Sequence, residues 1–97
     1  MFELLEETEN ADSCTWQLQV VLPDGQLSLH HVRLAWVDYD LLAPDGTTPP
    51  SKVAEALVSF MLEHEAFQPL PATIDAAVPR RRMAGADDMI AARITLQ

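Results

Sequence analysis

A chain of 97 residues can close one hydrophobic core and has no material for a second, so residues 1–97 are read as a single domain. Six Lys and Arg against 15 Asp and Glu give a formal charge of -9, which repels phosphate backbones and anionic lipid head groups, so duplex nucleic acid is an unlikely general ligand and no membrane partner is expected. The lone Cys14 allows no internal disulfide, the acidic start lacks the basic region of a signal peptide, and no apolar run nears a membrane span, so a reducing, cytoplasmic setting is expected.

The first dozen residues, Met1 to Asp12, mix Phe2, Leu4 and Leu5 with four glutamates and sustain no period; they read as a short strand or frayed arm. From Cys14 to Leu22 the residues Trp16, Leu18, Val20 and Leu22 alternate with Thr15, Gln17 and Gln19, as a half-buried strand requires. Pro23-Asp24-Gly25 predicts a hairpin turn, since Pro sets φ, Asp bonds back to the main chain and Gly accepts a positive φ. The return strand is expected from Gln26 to about Asp40. Leu27 and Leu29 fall on one parity and Val32, Leu34 and Trp36 on the other, which predicts a β-bulge near His30-His31.

A loop rich in Pro, Asp and Gly, Asp40 to Pro50, then delivers the clearest helix, Ser51 to Glu65, with Thr48 or Ser51 as its cap. Val53, Leu57, Phe60, Met61 and His64 recur at helical spacing, widened by Ala54, Ala56 and Leu62. Pro69 and Pro71 end it, and Leu70 to Pro79 reads as extended chain. At the C-terminus Ile90, Ala92, Ile94 and Leu96 alternate as a strand should, while Asp87-Asp88 before an Ala-rich run also suits a helix; the strand is favoured. The expected fold is α+β: an antiparallel hairpin or small sheet, one main helix packed on one face, and a C-terminal strand with a helix as the alternative.

No catalytic spacing stands out. Asp38, Asp40 and Asp45 could converge on a hard cation, but strand ends and turns use Asp routinely and the spacing is not that of an EF-hand. His30 and His31 leave a strand on opposite faces, His64 is far along the helix, and Cys14 shares its parity with core residues, so no zinc site is expected. Three glycines cannot build a phosphate-cradling loop, and no Ser stands in a Gly-flanked elbow. No cofactor is implied.

Two features suggest contact with another macromolecule. Trp36, Tyr39, Leu41 and Leu42 form an apolar and aromatic run at a strand exit. Arg80, Arg81 and Arg82 make a basic triplet in a chain whose residues 1–78 carry 2 basic and 13 acidic groups, against 4 basic and 2 acidic in residues 79–97. With 48% hydrophobic residues in so small a body, the expectation is a non-catalytic interaction or regulatory module that binds itself as a homodimer or binds another protein. The alternative is a small ligand-binding protein or enzyme with a site between sheet and helix, using Asp38, Asp40, His31 or His64. A third reading, a nucleic-acid accessory, would use Arg80 to Arg82 and Arg93.

Overall fold

Period-two alternation near the start of the chain builds a sheet, and the helical period that follows supplies its cover. In a computed structural model that describes residues 2–95, the chain runs β1 (Phe2–Glu9), β2 (Ser13–Val21), β3 (Leu27–Ala35), α1 (Trp36–Leu42), α2 (Pro50–Glu63), β4 (Thr73–Asp75), α3 (Val78–Arg82) and α4 (Ala86–Thr95). The sheet order is β1-β2-β3-β4, with β1, β2 and β3 antiparallel in sequence and the short β4 parallel to β3. The architecture is α+β, a small sheet with packed helices, as the sequence patterns indicate.

The core lies between one face of this sheet and α2. Cys14, Trp16, Leu18 and Val20 on β2 and Val32 and Leu34 on β3 are buried there, opposite Val53, Ala54, Leu57, Val58, Phe60 and Met61 of α2. Phe67, in a single 3-10 turn after α2, tilts against Phe60 at 5.7 Å. The hairpin turn is built as its residues require: the Leu22 N–H donates to the Gln26 carbonyl, the Asp24 carboxylate accepts from the Gln26 N–H at 3.0 Å, and Gly25 takes φ +87°.

Four expectations are corrected. The return strand stops at Ala35, and Trp36–Leu42 is helical, with Asp38 and Leu42 turned inward and Val37 and Leu41 outward. Both pairs are spaced i, i+4, the helical neighbour relation. The expected bulge at His30-His31 is absent: the β2–β3 ladder runs unbroken from Ser13↔Ala35 to Val21↔Leu27. Leu27 and Leu29 simply face away from the core, and the irregularity lies in β1 between Leu5 and Thr8, where Glu6 has φ 54°. Helix α2 starts from Pro49 and Pro50 with no side-chain cap, so neither Thr48 nor Ser51 serves that role.

The C-terminal segment is the helix α4, not the favoured strand. Gly85, at φ +77°, turns the chain; Asp87 and Asp88 occupy the first turn; and Ala86 and Ile90 are buried with Ile94 packed beside them, one face at i, i+4, i+8. Strand pairing next to β3 comes instead from β4, within the segment expected to be merely extended, and that segment closes with α3.

Leu57 is fully buried where α2 meets the core, so Leu57→Ala is expected to cost about 2–5 kcal/mol in urea unfolding. Val37→Ala, at a site 66% exposed, should stay within about 0.5 kcal/mol of the parent.

Candidate functional site

The aromatic run and the basic triplet do not form one surface. In α1 the Trp36 ring is half-buried, its Nε1 donating to the Asn10 carbonyl at 2.9 Å, and it meets Tyr39 edge-on at 5.9 Å. Tyr39 is tied down as well, its hydroxyl donating to the Thr48 carbonyl at 2.5 Å. Leu42 belongs to the core, so of the expected contact residues on this helix only Leu41 is open to a partner, beside Val37.

Arg80 is likewise committed inward. Its Nη1 donates to Asp38 Oδ1 at 2.7 Å and its Nε to Asp87 Oδ2 at 2.9 Å, which ties α3 to α1 and to α4. Asp38 is only 4% exposed, and a carboxylate at that depth needs such a partner. Burial alone would lower the Arg80 pKa, but the hydrogen bonds to Asp38 and Asp87 outweigh it and hold the guanidinium above its ordinary value. Arg81 and Arg82 stay exposed, with Arg82 reaching the Ala66 carbonyl at 3.5 Å. Arg93 pairs with Glu63 and holds that carboxyl below its usual range, so both are spent within the fold.

Asp38 therefore does not converge with Asp40 and Asp45; on a helix Asp40 points elsewhere and is exposed, and no group of three or more metal-ligating side chains occurs among the described residues. His64 stacks on Phe60 at 4.3 Å and bonds the Phe60 carbonyl through Nδ1. Cys14 is buried, and burial, reinforced by Glu7 and then Glu9, pushes its thiol up to about 11.

The surface that the fold leaves uncovered is the second face of the sheet. Its cross-strand rows are Val21–Leu27, Glu3–Gln19–Leu29, Leu5–Gln17–His31–Thr73 and Thr15–Arg33–Asp75. Leu27 is 60% exposed, Leu29 68% and Val21 45%, and together with Leu22 at the hairpin they make the largest cluster of exposed aliphatic residues among the described residues. The face also carries little net charge, and its Arg33 is approached by Asp12 at 3.6 Å. Of the acidic side chains, only Glu3 and Asp75 stand in these rows, and Asp75 is bridged to Arg33 at 3.3 Å. Two shallow hollows mark it, about 250 Å³ beside Glu3, Gln19 and Val21 and about 300 Å³ beside Gln17, Leu29 and His31.

A different character belongs to the free edge of β1. There a groove of about 590 Å³ runs between the strand and the start of α2, lined by Glu3, Glu6, Glu7 and Glu55 over Phe2 and Trp16, with Trp16 Nε1 donating to Glu7 at 3.0 Å. Four acidic side chains gather in this groove, whereas the open-face rows hold Glu3 and Asp75 alone among acids.

Comparison of the chain with protein-family models, with curated proteins and with solved structures finds no match to any of them. Among the described residues, no helix is long and apolar enough to cross a membrane. The open face is not evident in the sequence pattern, where the change of parity between Leu27 and Leu29 and Val32 and Leu34 predicts a bulge; in an unbroken strand that same parity places the two leucines on the outer face.

Neutralising the buried acid by Asp38→Asn should cost about 1–3 kcal/mol, the partial exposure of Arg80 keeping the loss below that of a fully buried pair. Asp40→Asn should change urea stability by less than about 0.5 kcal/mol. For Cys14 the folded pKa lies above the unfolded one, so its contribution is complete below the ordinary value of 9.0 and is lost as pH rises toward about 11. Cys14→Ala is expected to flatten that alkaline limb of stability, measured as urea midpoints across the range.

Proposed function

We propose that the protein is an interaction module that self-associates through the open face of its sheet. The observation that carries this reading is a contrast: a chain of formal charge -9 repels its own copies over most of its surface, yet one sheet face combines exposed Val21, Leu27 and Leu29 with almost no net charge. Two copies meeting there bury aliphatic side chains on both sides and bring the fewest like charges together. The two-fold arrangement suits the face, since the leucines of one copy can seat in the hollows beside Gln19 and Gln17 of the other and the reverse. A sheet packed on a sheet in this way completes a sandwich whose outer layers are the two α2 helices.

The second way for this chain to meet itself is head to tail, with exposed Arg81 and Arg82 entering the acidic groove beside β1 of another copy. Salt separates the two modes. Pairing through the neutral face is opposed by net repulsion and tightens as salt screens it, whereas an Arg–Glu contact weakens.

Light scattering coupled to size exclusion at tens of micromolar is expected to give a dimer mass that persists in high salt. Leu29→Glu, at an exposed position, should yield a folded monomer whose melting temperature no longer depends on protein concentration. A monomer in the parent protein at this concentration overturns the reading. A dimer that survives Leu29→Glu but dissociates in salt or in an Arg81→Ala/Arg82→Ala variant moves it to the head-to-tail mode.

A further inference from the structure

Beyond docking, the sheet carries a small polar constellation on its helix-side parity, at the end of β3 away from α1. Ser28 and His30 are two apart on β3, so their side chains leave the same face, and Ser28 Oγ lies 2.6 Å from His30 Nε2. The other ring nitrogen, Nδ1, lies 2.7 Å from the carbonyl oxygen of Pro71. A carbonyl only accepts, so Nδ1 carries the ring proton in the neutral imidazole. Nε2 is then the acceptor, and the hydroxyl of Ser28 donates to it. The ring is held by Pro71 in the tautomer that a general base requires, and the hydroxyl already aims its proton at that base.

A main-chain donor is available on the same strand. The N–H of His31 donates to Ala72, which shows that odd-numbered residues of β3 turn their amides away from β2 and toward the β4 edge. Leu29 shares that parity. The register His31↔Thr73 places it opposite Pro71, before β4 begins. The amide of the residue after the serine thus points past the start of β4, beside the hollow lined by Leu29, His30 and Ala72, and residues following a nucleophile stabilise an oxyanion from such a position.

We infer that Ser28, His30 and the Pro71 carbonyl form a nucleophile, base and orienting group able to accept an acyl group from a small activated ester. Ser28 Oγ forms a bond to the acyl carbon while its proton passes to His30 Nε2 and the carbonyl electron pair moves onto oxygen, beside the Leu29 amide. Collapse of that adduct breaks the ester bond, and the departing alkoxide takes the proton from Nε2. Water, deprotonated by the same nitrogen, then attacks the acyl carbon; the bond to Ser28 Oγ breaks, Oγ takes the proton back from Nε2, and the acyl group leaves as a carboxylic acid. Both side chains are half-buried, open enough for a compact donor of acetyl size.

The test uses p-nitrophenyl acetate and a fluorophosphonate probe on the intact chain, with peptide mapping by mass spectrometry. Acyl and phosphonyl groups are expected on Ser28, with both lost in Ser28→Ala. His30→Gln, which can still bond Pro71 but is no base, should slow labelling at least roughly tenfold while circular dichroism and melting temperature hold. No adduct on Ser28, or equal rates in the parent and His30→Gln, overturns the assignment. Val21→Glu, on the open face of β2 and away from Ser28 and His30, serves as the control for the docking reading: the oligomer can be lost while labelling is retained, and the reverse.

Discussion

One-sided burial of the β1–β3 meander is the constraint on which the rest depends. Alternation along β2 sends Cys14, Trp16, Leu18 and Val20 to one face, and α2 has enough apolar surface to cover that face and no more. The opposite face is left to the side chains of the other parity. Where those are Thr15, Gln17 and Gln19 the arrangement is the ordinary half-solvated antiparallel sheet. Where they are Val21, Leu27 and Leu29 it is an aliphatic surface that water wets poorly, and among the described residues no second layer hides it.

The remaining elements serve the covered side. Helix α4 adds Ala86 and Ile90 to the core, and the Asp38–Arg80–Asp87 bridge holds α1, α3 and α4 in one arrangement by giving a deeply placed carboxylate its counter-charge. That bridge joins residues 42 apart in sequence, so it constrains the path of the chain more than it adds to net stability, because desolvating the charges offsets much of their attraction. It also explains why the basic triplet is not a uniform patch: Arg80 is structural, and only Arg81 and Arg82 remain on the surface.

Much of the fold is legible in the residues. The alternation of β2, the Pro23-Asp24-Gly25 turn and the stripe of α2 depend on local periodicity and turn chemistry, and each is where the pattern puts it. The errors share a cause: a short stretch fits two periods at once. Trp36 continues the two-residue beat of Val32 and Leu34, yet Asp38 and Leu42 already form a helical pair; Ile90 and Ile94 alternate like a strand and are also four apart. Long-range partners decide such cases, Arg80 for α1 and the side of α2 for α4, and those are invisible to local pattern. The candidate sites were less legible. The open face required knowing that Leu27 and Leu29 have no cover, and the Ser28–His30 pair required the Pro71 carbonyl, 41 residues from His30, to orient the ring.

One sheet face is sealed by α2, and the self-association we propose would cover the other with a second copy. The most direct measurement is methyl NMR with a soluble paramagnetic agent, recorded at low and high protein concentration. The account predicts that Leu18, Val32 and Leu57 are protected throughout, while Leu27, Leu29 and Val21 are broadened when dilute and become protected when concentrated. Broadening of Leu18 and Val32, or Leu27 and Leu29 signals that respond to the agent identically at both concentrations, would contradict it.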